Sequence, residues 1–302
     1  MFELPEIASF KSPEAEQRYL ATYDALRDEL LPADRTERSI ETDIGSTFVV
    51  SYPAPGAAAH AVPLVFLPGT AATTSMWESY LPHLIGTRPI HTLDTVGDAG
   101  RSVQRAPAPD PADWDRWLGQ VLDGLGAERA HLAGISQGGW LALNLALRSP
   151  ARVASLTLSE PGGLETINLP RFVARSFGMV AAYFLPGFLG RGLAALLHTG
   201  IRNQQRSHMK FLVQGMRTFQ KSVPIPPVLS DDELRSIMQP TYLQLSSHSE
   251  VLDATRVRAR VEANMPNVRV DVVAGASHSV GTDHPEMMIA NLLALDDASV
   301  AT

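Results

Sequence analysis

Residues 130–139 read AHLAGISQGG. The first half is a short apolar run with strand character. The second half turns sharply at Gly134-Ile135-Ser136-Gln137-Gly138, and an Ala- and Leu-rich helical segment follows at once (Gly139–Arg148). A serine between two glycines at such a turn suits a nucleophile, because its hydroxyl is projected above the end of a strand. The turn brings backbone close to backbone on both sides of the serine, and glycine is the residue that fits there. The helix opening at this point aims its positive end at the same spot, which favours a developing oxyanion. Ser136 is therefore the candidate nucleophile.

Outward from this turn, similar apolar runs recur. Pro63–Leu67 (PLVFL) and Ile90–Leu93 precede it, and Val153–Leu158, Thr241–Leu245 and Val268–Val273 follow. Each is short and bounded by turn residues, as buried parallel strands are. Helical segments lie between them at Tyr80–Ile85, Asp113–Leu125 and Asp253–Ala263. The alternation predicts an α/β fold with a mostly parallel central sheet flanked by helices. Before it, Pro13–Leu31 reads as a helix, with Ser12-Pro13 as a start signal, and Ser39–Thr42 with Thr47–Tyr52 as a hairpin. Pro53–Pro63 and Val96–Pro111 read as loops. Gly162–Gln239 has no convincing strand and is expected to be a helical cap inserted into the core. The expected domains are thus a core of 1–161 and 240–302, including the helix 13–31, and a cap of 162–239.

The composition narrows the function. The chain has 302 residues, 45% hydrophobic and 19% charged, with a formal net charge of -7. That is globular composition rather than disorder. With no basic block to neutralise phosphates, nucleic acid is not an expected partner. The absence of cysteine excludes disulfides and thiolate chemistry, and fits a cytoplasmic location. The first ten residues do not read as a secretory signal. The most apolar stretch, Phe172–His198, is broken by Arg175, Pro186 and Arg191. A membrane span needs ~20 predominantly apolar residues, so this stretch is expected to form helices over a pocket. Oligomeric state is not legible.

A serine hydroxyl is a weak nucleophile until a base takes its proton. Of the nine histidines, His278 stands just past the last strand in VAGASHSV (273–280), and is the candidate general base. His91 and His131 fall in strands and are expected in the core or at the surface. His248 is the weaker alternative. An oxyanion hole needs backbone N–H donors. The Gln137 N–H directly follows the nucleophile, and the Thr70 N–H lies in the turn after Pro63–Leu67; these two are the expected donors.

Taken together, LPGTAATTSMW (67–77), LDTVGDAGRSV (93–103), GISQGGWLALNLAL (134–147) and GASH (275–278) resemble the α/β-hydrolase superfamily, in particular its bacterial carboxylesterase-like members. VLSDDELRSIMQP (228–240) looks like the end of their cap, so the resemblance spans nearly the whole chain. It implies an α/β-hydrolase fold with a Ser–acid–His triad. Two departures stand out. Pro68-Gly69 replaces the family's usual His-Gly, which leaves the backbone donor of the next residue in place. The usual acid position, after the strand that follows the cap, falls on Ser249. Three carboxylates remain as candidates: Glu160, at the end of VASLTLSE; Glu250, one residue from the usual place; and Asp253, which is better placed to cap the next helix.

The resemblance and the residues together imply a serine hydrolase that cleaves an ester-like bond (carboxylic ester, thioester or lactone) of a small, largely apolar substrate through an acyl-enzyme, with no cofactor and no metal. Two other readings stay open. One is a tailoring enzyme of a biosynthetic pathway, performing cyclisation, lyase or acyl-transfer chemistry. The other is a non-catalytic small-molecule receptor.

Overall fold

In a computed structural model of the chain, residues 4–166, 185, 188–189 and 206–295 are described. In chain order the strands are β1 (Ser9–Phe10), β2 (Thr36–Thr42), β3 (Gly45–Tyr52), β4 (Leu64–Leu67), β5 (Ile90–Leu93), β6 (Val103–Gln104), β7 (Ala130–Ile135), β8 (Val153–Ser159), β9 (Phe219–Gln220), β10 (Thr241–Ser246) and β11 (Val268–Val273). The helices are α1 (Pro13–Leu30), α2 (Leu81–Leu84), α3 (Pro111–Leu125), α4 (Gln137–Arg148), α5 (Arg206–Thr218), α6 (Asp231–Ser236), α7 (Ala254–Asn264), α8 (Val280–Asp283) and α9 (Glu286–Leu293).

The main sheet runs β11-β10-β8-β7-β4-β5-β3-β2, with β6 added to β3. From β11 to β5 every pairing is parallel, and β2, β3 and β6 join antiparallel. The apolar runs become strands because successive side chains face opposite sides of the sheet and both sides are covered. Val65 and Leu67 join one core with Trp114, Trp117, Trp140 and Val257. Leu64 and Phe66, their neighbours, join the other with Tyr23, Trp77, Tyr80 and Met288. Helices α3, α4 and α7 therefore cover one face, and α1 and α9 the other. The expected strands and helices are found within a few residues of their expected bounds. The loop expected at 96–111 also carries the short β6.

Within 162–239, residues 167–184, 186–187 and 190–205 lie outside the described residues, and with them nearly all of the apolar stretch Phe172–His198. Of the expected cap, α5 is described: it packs on α1, with Phe211 stacked on Tyr19 at 4.7 Å between centroids. The strand-free reading of this region needs one amendment, since β9 pairs antiparallel with β1 near the N-terminus. Two residues are too few to leave a periodic signature in sequence. Among the described residues no helix is long and apolar enough to cross a membrane.

Candidate active site

The C-terminal ends of β4, β5, β7, β8, β10 and β11 converge on one region, where open parallel sheets place their sites. At its centre the chain leaves β7 and enters α4 through Ser136, whose φ of 52° and ψ of -111° are far from any relaxed region. The flanking glycines make this conformation feasible. A Cβ on Gly138 would stand 2.0 Å from the Leu67 carbonyl oxygen, and one on Gly134 would stand 2.6 Å from the Gly138 carbonyl carbon. Among the described residues, the non-glycine residues at positive φ are Ala71, Ser136 and Glu160, and all three belong to this region. Such strain costs about 1–3 kcal/mol per residue and persists where the surroundings over-determine it. Ser136 is held by its N–H donating to Ser159 O at 3.0 Å, and by its own carbonyl accepting from Gly162 N at 2.9 Å.

His278, in the loop after β11, meets Ser136. Its Nε2 is 3.1 Å from Ser136 Oγ, and its Nδ1 is 3.0 Å from Glu160 Oε2. A carboxylate only accepts, so the Nδ1 proton faces Glu160 and the Nε2 lone pair faces the serine. Of the carboxylates weighed from sequence, Glu160 is the one brought to the imidazole. It is fully buried, at the first position past β8. Its Oε1 accepts from Ser246 N at 2.8 Å, and its Oε2 also accepts from the Ser249 hydroxyl. Glu250 is adjacent but engages the backbone: its Oε2 accepts from His278 N at 2.9 Å. Asp253 caps α7, accepting from Arg256 N at 3.1 Å. His91 bonds Ser51 and His131 bonds Ser155 within the sheet. His248 bonds Ser247, and its backbone N–H donates to Ala276 O beside the His278 loop.

The turn after β4 packs on the serine turn, since a Cβ on Gly69 would be 3.6 Å from Ser136 Cβ. Among the described residues, no protein acceptor takes the N–H of Thr70 or of Gln137. The next residue, Ala71, is committed elsewhere: at φ 59° its N–H donates to Asp98 Oδ2 at 2.7 Å. Asp98 and Asp94 are supports that sequence reasoning missed. Asp94 accepts from Thr74 N at 2.9 Å and from Arg101 N at 2.8 Å. Burial pushes its carboxyl up to about 6, against those backbone donors. Burial likewise raises Asp98. The signal lay in LDTVGDAG: two aspartates past a strand, with glycines whose missing side chains make room. A Cβ on Gly100 would stand 2.7 Å from Asp94 Oδ2.

The alpha/beta hydrolase family model matches residues 64–291. The chain belongs to the alpha/beta hydrolase family. In sequence, this hydrolase is 27% identical over 278 residues to a Bacillus subtilis protein named as the uncharacterized carboxylesterase nap, covering 89% of this chain and 88% of that one. It is 24% identical to carboxylesterase YbfK of the same organism over 92% and 93% of the two chains. In structure, naproxen esterase (carboxylesterase NP) from Bacillus subtilis matches with a TM-score of 0.81 at 24% identity, covering 94% of this hydrolase and 98% of that chain. Carboxylesterase CesB (YbfK) matches with a TM-score of 0.72. At that identity, the structural likeness shows the fold.

Proposed function

We propose that this alpha/beta hydrolase is a serine esterase in which Ser136 is the nucleophile, His278 the general base and Glu160 the acid of the triad. The supporting observation is the continuous chain Ser136 Oγ–His278 Nε2 (3.1 Å) and His278 Nδ1–Glu160 Oε2 (3.0 Å). It joins a strained, half-buried hydroxyl to a buried carboxylate. His278 takes the Ser136 proton as Oγ adds to the ester carbonyl carbon. The carbonyl oxygen becomes an oxyanion facing the N–H groups of Thr70 and Gln137. When the oxyanion collapses, the C–O bond to the alcohol breaks and His278 returns the proton to the leaving alkoxide. Water, deprotonated by the same imidazole, then releases the acid from Ser136. Glu160 keeps the imidazole in the productive tautomer and faces the positive charge it acquires. These steps call for no metal and no organic cofactor. Glu250 restrains the histidine loop through the backbone.

The proposed substrate is a small, largely apolar carboxylic ester. The names of the full-length relatives, both carboxylesterases, support the bond type. A helical cap over 162–239 would shape its pocket. A cytoplasmic location belongs to the same reading, supported by the absence of cysteine. The test is labelling with a fluorophosphonate probe together with turnover of p-nitrophenyl esters. The wild type is expected to be labelled and active, and Ser136→Ala to be folded and inert in both. A folded wild type that takes no label would overturn the proposal.

A further inference from the structure

Glu160 has a partner that the triad does not require. Ser249, 1% exposed, lies in the loop after β10, and its hydroxyl meets Glu160 Oε2, the same oxygen that faces His278 Nδ1. The direction of that hydrogen bond is fixed by two others. Ser249 Oγ accepts from Val251 N at 3.1 Å and from Leu252 N at 3.0 Å. A hydroxyl has two acceptor lone pairs and one proton. With both lone pairs occupied, the proton has one place to go, the buried carboxylate. The loop thus presents a pre-oriented O–H donor rather than a freely rotating one.

We infer that Ser249 is a positioning residue that tunes the Glu160–His278 pair; this rests on the esterase reading above. It does so in two ways. It pins Oε2, which already accepts from His278 while Ser246 N–H pins Oε1, so the carboxylate cannot turn away from the imidazole. It also withdraws part of the charge that Glu160 offers to His278. A carboxylate with one donor fewer holds an imidazolium more tightly. The pair would then favour the protonated imidazole, which leaves less free base to take the serine proton near neutral pH. Three other charged or titratable side chains lie on the β10 loop packed against the His278 loop, and of these Asp253 caps α7. Glu250 holds the His278 backbone N–H, and His248 is on the loop bonded to Ala276. The fold needs no hydroxyl at 249 to carry a carboxylate, since Ser246 N–H already satisfies Oε1. What the hydroxyl adds bears on the oxygen that faces the base.

The experiment compares wild type, Ser249→Ala, Ser249→Cys and Ser249→Thr as full-length protein, by p-nitrophenyl butyrate kinetics across the neutral pH range, fluorophosphonate labelling and thermal melting. Ser249→Ala is expected to lower kcat by about 10- to 100-fold, because a carboxylate free to turn misplaces the imidazole against Ser136. KM should stay unchanged, because Ser249 is out of reach of substrate. The acidic limb of kcat/KM against pH should move upward, because the oxygen facing the base has lost a donor. Ser249→Thr, which keeps the hydroxyl, should retain both properties. Ser249→Cys fills the same space with a weak donor and answers the question if the alanine variant melts early; it should behave as alanine does. An active, labelled wild type with wild-type kinetics in folded Ser249→Ala or Ser249→Cys overturns this inference alone. So does a slowed variant whose pH limb has not moved. A wild type that takes no label overturns the esterase reading and this inference with it.

Discussion

Replacing Glu160 by glutamine separates the two glutamates that stand beside His278. The buried carboxylate accepts on both oxygens: Ser246 N–H on Oε1, and Ser249 O–H with His278 Nδ1–H on Oε2. An amide has one acceptor oxygen to offer, and either orientation fails. With its oxygen at the Oε2 position, the NH2 group confronts the Ser246 N–H. With the NH2 group there instead, it confronts two donors and drives the imidazole into the tautomer whose Nε2 bears the proton. That form cannot take the proton of Ser136. Losing one charge-assisted bond costs about 1.5–3 kcal/mol, and a buried donor left unpaired costs about 1–3 more. At 1.36 kcal/mol per tenfold in rate, Glu160→Gln should lower kcat by about 10²–10⁴-fold with KM little changed, since Glu160 is fully buried. Glu250→Gln should cost less than about tenfold, because its amide oxygen can still accept the His278 N–H and only charge assistance is lost. Steady-state kinetics on p-nitrophenyl butyrate, with melting curves to confirm folding, decide the matter. A Glu160→Gln enzyme within tenfold of wild type, or a Glu250→Gln enzyme slower than it, would refute the assignment.

Three further outcomes follow from the same geometry. Gly138→Ala would place a methyl 2.0 Å from Leu67 O and 2.7 Å from Pro68 O. These are backbone atoms that cannot swing aside, so it should destabilise by about 1–3 kcal/mol or more and slow catalysis by moving the Thr70 turn; melting and kcat measured together test this. For Asp94, whose folded carboxyl is pushed up to about 6 from an ordinary 3.8, the folded state gains the proton first as pH falls, so this group's contribution to stability rises on acidification between about 6 and 4. Over that window it amounts to on the order of 3 kcal/mol. Asp94→Asn lacks the titration, so its deficit in stability relative to wild type should shrink as pH rises from about 4 to 7; urea unfolding at both ends would show a constant deficit if the idea is wrong. Finally, the double variant Glu160→Ser with Ser249→Asp should recover about tenfold in kcat over Glu160→Ser alone. One oxygen of the introduced aspartate can keep the Val251 and Leu252 N–H bonds while the other enters the space beside His278 Nδ1, recovering part of a charge-assisted bond. A folded double variant no faster than the single one would count against it.

The parts of the site legible in the sequence are those where local chemistry allows few alternatives. The strand–Gly-x-Ser-x-Gly–helix stretch announces a turn that only glycine can flank, and the Cβ clearances at Gly134 and Gly138 show why. The alternation of Leu64 and Phe66 with Val65 and Leu67 across two covered faces reads as a buried strand before any contact is known. The supports at Asp94 and Asp98 were hidden because a polar residue in a Gly- and Pro-rich segment resembles loop chemistry. Their importance comes from burial, and burial is settled by Tyr23, Thr74 and Ala71, which lie far from them in the chain.

That the sequence leaves both Glu160 and Glu250 open as the acid has a deeper physical reason. Glu160 and Glu250 both follow strands of the same parallel sheet, β8 and β10, that lie side by side. Either strand end can deliver a carboxylate to the base, and sequence spacing records neither the direction of a side chain nor the local φ. The proposed assignment to Glu160 rests on two positions. Glu160 adopts a φ of 48°, which bends the chain as it leaves β8 and lets the carboxylate point toward the His278 loop. At the end of β10, the position that the family resemblance reserves for the acid holds Ser249, too short to reach the imidazole but long enough to reach Glu160. The carboxylate and the hydroxyl therefore occupy one continuous space from adjacent strands. The choice at either address constrains the other: a second acid at 249 would set two buried charges against each other, whereas a hydroxyl supplies a proton. Such coupling ties residues 89 positions apart through a shared oxygen, and it leaves no periodic or motif-level trace in the chain.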